Sequence, residues 1–279
     1  MKSENGLDEI RRILIALDAS PASQAALELA AELAVRYQAE LIGVYVEDIN
    51  LIRSAELPIT QEVGYYSGSS HDIDTPHLER ELRAHARRVE QLLASIARKG
   101  NLRWSFQRAR GVIPGELITA AAGTDLIILG KTGWSGGNKI GSTAREVAVS
   151  SPIQSLILLK KVRPGSPTLV LYDGSPAGRK ALAAARRISR PQGKLIILIL
   201  AETKVKAEEL QEEVQSAFEN IELQLEFRWV TDLRADLLSY LARISSCDVV
   251  VLPIKREQFE PEKLIAMLNE AECAVLLVR

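Results

Sequence analysis

One strand-turn-helix pattern occurs twice in this sequence, and that repeat restricts the possible folds more than any other feature. It spans residues 12–22 and returns at residues 168–177. In each copy an apolar strand ends in an aspartate, Asp18 or Asp173, and a small residue and a Ser-Pro pair follow before an Ala-rich helix. Serine is favoured at a helix N-cap and proline at the first helical position. The recurrence of so specific a pattern predicts two copies of one domain.

The repeat continues further along the chain. Residues 125–129 match residues 248–252, and residues 155–160 match residues 274–279. We therefore predict one domain over 1–161 and a second over 168–279, joined by a Pro/Gly-rich linker around 161–167.

Strands and helices alternate in both copies. The first copy predicts strands near 11–17, 40–47, 103–109, 125–130 and 154–160, and helices near 21–37, 76–99, 114–123 and 142–150. The second predicts strands near 168–172, 194–201, 223–230, 248–253 and 273–279. Several strands are continuously apolar, which is typical of a parallel sheet covered on both faces. The fold class is therefore α/β, with two tandem doubly wound parallel five-stranded sheets.

The first copy is the longer one, and most of its extra length falls between residues 48 and 76. This segment is rich in glycine, serine and proline, including Gly64 and Gly68, and we predict a long surface loop. His71, Asp72 and Asp74 lie within it, and His77 follows directly after it. Their spacing does not match that of helical metal ligands and no cysteine is near, so we predict no metal site.

Composition excludes several functional classes. The chain has 279 residues, 47% hydrophobic content, 25% charged content and a net charge of −1. This balance gives no reason to expect a nucleic-acid or membrane partner, and we predict a cytoplasmic protein because no apolar run suggests a signal peptide or membrane span. Cys247 and Cys273 lie in apolar strand-like contexts, which favours buried free thiols over the alternative of a disulfide.

A glycine-rich segment separates the apolar strand 125–129 from the helix near 142–150. It begins with Gly130-Lys131-Thr132-Gly133 and closes with Gly141-Ser142-Thr143. Glycines let a backbone approach a ligand closely, and the free N–H groups of a helix's first turn attract anions. The segment therefore predicts a phosphate-binding loop.

Three features together resemble the universal stress protein family in its tandem form. They are Leu17-Asp18-Ala19-Ser20 at the end of the first strand, Gly130-x-x-Gly133 after the fourth, and the closing Gly141-Ser142-Thr143. The resemblance implies the strand order 3-2-1-4-5 and two halves packed as an internal pseudo-dimer. It also implies a stress-response regulatory protein that binds an adenine nucleotide, ATP or AMP, with or without Mg²⁺.

The resemblance carries the family's binding residues over to eight positions. Asp18 and the backbone of Val46 would lie at the nucleoside end. Gly130, Thr132 and Gly133 would approach the ribose and phosphates, while Gly141, Ser142 and Thr143 would donate to the phosphates. No nucleophile, base and orienter set is recognisable in the sequence, so we name no catalytic residue and expect at most slow ATP hydrolysis.

The loop between Gly133 and Gly141 departs from the family pattern. Seven residues separate them, where ATP-binding members usually have about nine. Three outcomes stay open: retained binding, a preference for AMP, or lost binding. If binding is lost, the alternative is a scaffold acting through an unknown protein partner. An adenine-nucleotide hydrolase or ligase is a third class, but residues 18–22 match its Ser/Gly-rich pyrophosphate loop poorly.

The second copy lacks this loop. Pro253 follows its fourth strand where the first copy has glycine, and Glu257 and Glu260 come next. Proline has no N–H to donate and the carboxylates would repel an anion, so we expect no nucleotide there. The second half would serve as a built-in partner for the first, and the sequence leaves open whether the chain forms a further homodimer.

Individual site residues also have purely structural interpretations. One interpretation of Asp18 is that it only shapes a turn, because Asp173 repeats it. Thr143 with Glu146 has the spacing of a capping box. Lys131 and Lys139 could neutralise phosphate or simply be solvated.

Overall fold

A computed structural model of the chain describes residues 10–55, 61–63, 70–72, 75–133, 139–158, 166–189, 192–219, 221–254 and 260–279. Its strands are β1 (Arg12–Ala16), β2 (Glu40–Asp48), β3 (Gln61–Val63), β4 (Ser70–Asp72), β5 (Trp104–Gly111), β6 (Leu126–Gly130), β7 (Gln154–Leu158), β8 (Thr168–Tyr172), β9 (Lys194–Leu200), β10 (Gln224–Val230), β11 (Val249–Pro253) and β12 (Ala274–Val278). Its helices are α1 (Pro21–Tyr37), α2 (Ile49–Ala55), α3 (Thr75–Lys99), α4 (Ile113–Ala120), α5 (Ser142–Ser150), α6 (Pro176–Ile188), α7 (Lys204–Ala217), α8 (Ala235–Ile244) and α9 (Pro261–Glu270).

Two parallel sheets, one from each half, confirm the tandem α/β prediction. In the first half the hydrogen-bonded order is β5-β2-β1-β6-β7, and in the second it is β10-β9-β8-β11-β12. The two last strands, β7 and β12, pair antiparallel at Leu156↔Leu276 and neighbouring positions. This pairing joins the halves into one ten-stranded sheet and makes the chain an internal pseudo-dimer.

Two apolar cores cover the faces of this sheet. Alternate residues of one strand go to opposite faces, so Ile13 and Ile15 enter one core while Leu14 enters the other. Each core contains buried residues from both halves, for example Ile13 with Val170 and Leu14 with Leu169. The halves therefore share their hydrophobic interior.

The repeated Ser-Pro pair begins a helix in each half, as its sequence predicts. The Ser20 hydroxyl accepts a hydrogen bond from the Ser23 N–H at 3.1 Å. The Ser175 hydroxyl accepts one from the Gly178 N–H at 3.0 Å. Each serine satisfies a backbone donor that the helix itself leaves without an acceptor.

Removing either cap is expected to cost a similar amount of stability. Ser20→Ala and Ser175→Ala should each lower the free energy of unfolding by about 1 kcal/mol, because each leaves one N–H of the first turn without its acceptor. Urea unfolding followed by circular dichroism measures both. A fall for one variant with no change for the other would contradict the equivalence of the two caps.

The segment between 48 and 76 differs from its prediction as one long loop. It contains the helix α2 and a hairpin in which β3 and β4 pair antiparallel. The side chains of Ile52 and Ala55 on α2 are buried, and this apolar spacing favours a helix over a loop. Residues 56–60, 64–69 and 73–74, with Gly64, Gly68 and Asp74, lie outside the described residues.

Cys247 is buried, Cys273 is partly buried, and both are free thiols. Burial raises the pKa of each thiol to about 12, so both are protonated at neutral pH. Among the described helices, none has the length and apolar character needed to span a membrane. The residues that the structure describes contain no cluster of three or more His, Cys, Asp or Glu side chains placed to hold a metal ion.

Candidate functional site

A cavity of about 230 Å³ lies at the carboxyl ends of β1, β2 and β6. Open α/β sheets bind ligands at this edge, where the chain connections change direction. The lining residues are Ala16, Leu17, Asp18, Ser20, Ser23, Val44, Val46, Ile113, Leu117, Leu129, Gly130, Lys131, Thr132, Gly133, Gly141, Ser142, Thr143 and Ala144. All eight site residues expected from the sequence are among them. We call this space the first cavity.

One wall of the first cavity is apolar. It is built from Val44 and Val46 on β2 and from Ile113 and Leu117 on α4. Ile113 and Leu117 are four positions apart, so they lie on the same side of α4. Such a wall suits a flat apolar group of a ligand.

The backbone of Val46 faces the open end of β1. The Val44 carbonyl accepts from the Leu17 N–H at 2.8 Å, so the backbone of Val44 points toward β1. Strand geometry repeats every two residues, so the backbone of Val46 points the same way. The last residue of β1, Ala16, pairs with Val44, so β1 ends before it reaches Val46. Val46 can therefore offer backbone hydrogen bonds to the edge of a ligand.

Asp18 has a structural role at the start of α1. Its Oδ1 accepts from the Ser20 N–H at 2.9 Å, and Asp173 accepts from the Ser175 N–H at 3.0 Å in the second half. Both aspartates therefore shape the turn that precedes their helix. The other oxygen, Oδ2, lies only 3.4 Å from the position that a Cβ on Gly133 would occupy. Asp18 thus shapes the turn and also faces the glycine-rich loop.

Gly130 is required by helix packing. A Cβ at this position would lie 2.8 Å from the Cβ of Ala22 in the first turn of α1. Real Cβ atoms essentially never approach that closely, so a side chain here would push α1 away from the sheet. This close contact is a sufficient reason for glycine at position 130, and no bound ligand is needed to explain it.

The loop closes onto the first turn of α5. The Gly141 N–H donates to the Lys131 carbonyl at 2.8 Å, and Gly141 is the N-cap residue of the helix. Ser142 and Thr143 are the first two helical residues, so the interpretation of Thr143 and Glu146 as a capping box is wrong. The N–H groups of Ser142, Thr143 and Ala144 have no acceptor within a helix, and all three residues line the first cavity. Such a group of unpaired N–H donors at a helix N-terminus is the kind of arrangement that suits an anion.

The position of Lys131 contradicts both interpretations made from the sequence, phosphate neutralisation and a solvated surface role. Its side chain is buried, and its Nζ donates to the carbonyls of Asn269 at 3.0 Å and Ala271 at 2.9 Å in the second half. The ammonium is therefore neither solvated nor directed to phosphate. Burial lowers the pKa of Lys131, and the nearby carboxylates of Glu270 and Glu272 partly oppose this shift. Lys139 is exposed.

The corresponding cavity in the second half, of about 320 Å³, has a different chemistry. It is lined by Leu171, Asp173, Leu200, Leu233, Leu252, Pro253, Ile254, Glu260, Lys263, Leu264 and Met267. Where α5 begins with Gly141 and Ser142, α9 begins with Glu260 and Pro261, and Glu262 lies in its first turn. Glu260 lines this cavity and Glu262 adds a second carboxylate to the first turn of α9, so this helix N-terminus is less suited to phosphate than that of α5.

Sequence reasoning missed part of the first cavity. Ser20 and Ser23 line it, and Ser23 accepts from the Asp18 N–H at 3.2 Å. The apolar pair on α4 was also missed, although the helical spacing of Ile113 and Leu117 was visible in the sequence. Asn269 carries no local signal, because it meets the loop only after the two halves have packed.

Together these features define a class: tandem doubly wound α/β proteins with a cavity at the carboxyl edge of the first sheet. The universal stress protein family model matches residues 9–158, which is more than half of the chain. The chain therefore belongs to the universal stress protein family, and its two halves show the tandem form. No curated protein is similar enough to count as a relative.

Solved structures share the fold over nearly the full length. A universal stress protein from Archaeoglobus fulgidus DSM 4304 is 18% identical, with a TM-score of 0.71 and 96% of each chain covered. A functionally unknown protein from Pseudomonas aeruginosa PAO1 is 16% identical, with a TM-score of 0.64, covering 98% of this chain and 94% of its own. At these identities the similarity establishes the fold alone.

Proposed function

We propose that the chain is a cytoplasmic stress-response regulatory protein that binds one adenine nucleotide, ATP or AMP, in the first cavity. The observation that supports this best is the meeting of two unlike surfaces in one cavity. An apolar wall from β2 and α4 lies on one side, and the uncapped N-terminus of α5 with the glycine loop lies on the other. A nucleotide has the matching parts, a flat base and an anionic phosphate group.

The base would lie against Val44, Val46, Ile113 and Leu117. Burying an aromatic ring against aliphatic side chains removes apolar area from water, which contributes roughly 25 cal/mol for each Å². The backbone N–H and carbonyl of Val46 would bind the polar edge of the base. Asp18 would accept from a ribose hydroxyl, through the oxygen that faces Gly133.

The phosphates would lie at the N-terminus of α5. The N–H groups of Ser142, Thr143 and Ala144 and the two hydroxyls supply donors, and the helix dipole favours negative charge there. Thr132 and Gly133 would close the other side. Among the described lining residues, Asp18 is the one acidic side chain. Mg²⁺ usually binds through one or two carboxylates together with substrate phosphates. With one carboxylate in the described lining, any Mg²⁺ would therefore bind together with the nucleotide.

The residues that line the first cavity also indicate how well it could hydrolyse ATP. A general base must come within hydrogen-bond reach of the attacking water beside the terminal phosphate. Asp18 follows β1, at the nucleoside end, and its Oδ1 is occupied by the Ser20 N–H. We therefore propose that hydrolysis is at most slow and that the protein acts by binding.

A titration of the emptied full-length protein tests this function. Protein unfolded and refolded free of ligand is titrated with ATP, AMP and adenosine by calorimetry, and melting is followed in parallel. At ligand near 100 times Kd, the folded state should gain about 2.7 kcal/mol, which raises the melting temperature by several degrees. GTP at the same concentration is the control for base recognition. Absence of both heat and a melting shift with every adenine ligand would overturn the proposal and favour a scaffold.

A further inference from the structure

Contacts between the halves converge on the two ends of the glycine loop, residues 130–141. At one end, the Lys131 Nζ donates to the carbonyls of Asn269 and Ala271. At the other end, the Asn269 Oδ1 accepts from the Ile140 N–H at 2.9 Å. Both ends are therefore held by the carboxyl end of one helix, α9, which belongs to the second half.

The chemistry of these contacts explains why they are specific. The last carbonyls of a helix have no N–H partner within it, and the helix dipole places partial negative charge there. The ammonium of Lys131 meets this charge, while the Ser239 hydroxyl donates to the remaining Glu270 carbonyl at 2.7 Å. Lys131 is buried, so removing the contact would leave carbonyl groups without donors.

A related contact holds the helix that follows the loop. Arg279, in the second half, donates to the carbonyls of Ala148 and, at 3.2 Å, Ile153. These carbonyls lie at and just beyond the carboxyl end of α5. The helix whose N-terminus lines the first cavity is thus bound at its opposite end by the second half.

We propose that the second half positions the phosphate side of the first cavity, with Lys131, Asn269 and Arg279 as positioning residues. This rests on the proposed nucleotide function. None of the second-half residues that the structure describes lines the first cavity, yet contacts from this half hold both ends of the loop and the carboxyl end of α5. Nucleotide affinity then depends on how the halves pack, and by linkage a bound nucleotide stabilises that packing to the same extent.

The experiment compares Lys131→Met and Asn269→Leu with the wild type, in the full-length protein. Each variant removes a loop contact and keeps a side chain of similar size. Lys263→Met, an exposed lysine on the same helix α9, is the matched control. Two readouts are used: affinity for AMP and for adenosine, and amide hydrogen exchange of residues 139–143 without ligand.

Both variants should lose roughly tenfold in AMP affinity, a typical coupling between sites, and keep their adenosine affinity. General destabilisation would lower both affinities together, so the AMP-to-adenosine ratio identifies positioning. Exchange at residues 139–143 should be faster in both variants and unchanged in Lys263→Met. If Lys131→Met fails to fold, Asn269→Leu carries the test alone.

Two results distinguish failure of the positioning role from failure of the nucleotide function on which it rests. Wild-type AMP binding with unchanged affinity and exchange in both variants would overturn the positioning role and leave the nucleotide function intact. A wild type that binds no adenine ligand would overturn the nucleotide function. Exchange at residues 139–143 then decides alone whether the second half holds the loop.

Discussion

Ser142→Asp is expected to reduce affinity for ATP and AMP on the order of 100-fold while leaving the fold intact. The new carboxylate would stand at the first helical position of α5, among the donors proposed for phosphate. Two like charges about 4 Å apart repel by about 4 kcal/mol at an effective dielectric constant of 20, and screening reduces this. A net loss of about 3 kcal/mol corresponds to the expected change.

The same substitution should not destabilise the protein, which makes it a sharp test. A carboxylate in the first turn of a helix is favourable by about 0.3–1 kcal/mol, and Ser142 is exposed. Asparagine has nearly the same shape as aspartate but no charge. Ser142→Asn is therefore the matched control and should lose much less affinity. Calorimetric titration and thermal melting measure both quantities. Equal affinities for the Asp variant and the wild type would place the phosphates elsewhere.

The second large effect is on stability: Gly130→Ala should lower the free energy of unfolding by about 1–3 kcal/mol. Its Cβ would lie 2.8 Å from the Cβ of Ala22 and 3.2 Å from the Ala22 carbonyl carbon. Relief requires moving the first turn of α1, because neither atom belongs to a flexible side chain. Overpacking of this kind in a closely packed interior has that cost. Urea unfolding without ligand gives the value.

Gly115→Ala provides the matched control on the same sheet edge. Gly115 lies within α4, and a Cβ there would meet nothing within 4 Å. Alanine is the better helix former, so this variant should gain about 0.5–1 kcal/mol. Opposite signs for the two variants would show that Gly130 is needed for packing. A Gly130→Ala protein of unchanged stability would instead leave ligand approach as the reason for this glycine.

The sequence predicted the fold well because the local signals agreed with the tertiary structure. The Ser-Pro pairs at Ser20 and Ser175 became N-caps, and the apolar runs became parallel strands. The predicted topology also places the candidate site residues close together. Asp18, Val46 and Gly130 are far apart in the chain, yet each lies at or near the carboxyl end of a strand in one parallel sheet. Parallel strands place those ends at one edge, so topology alone predicts that they meet.

Contacts between the halves could not be predicted in this way. Lys131 meets carbonyls 138 and 140 positions away, and nothing in its neighbourhood shows that it becomes buried. A lysine in a glycine loop suggests phosphate binding, but the carboxyl end of α9 competes for the same charge. Burial against another half is a property of packing, which single-sequence patterns do not encode.

The two halves illustrate how a repeated domain can keep its packing while its site diverges. Asp18 and Asp173 hold the same turn, and the helices that follow have the same caps. The cavity edges differ, because Glu260 and Pro261 stand at the start of α9 where α5 begins with Gly141 and Ser142. The second half has thus retained the parts needed for the shared sheet and cores. At the described start of α9 it has carboxylates where the first half has glycine and serine.

Native mass spectrometry of the full-length protein tests the central claim most directly, since it counts the ligands on each chain. The wild type in excess AMP or ATP should carry one adenine nucleotide per chain, and Ser142→Asp at the same concentration should carry almost none. Two nucleotides on each wild-type chain would show that the second half also binds. No nucleotide on the wild type would contradict the account, because the first cavity would then not be a nucleotide site.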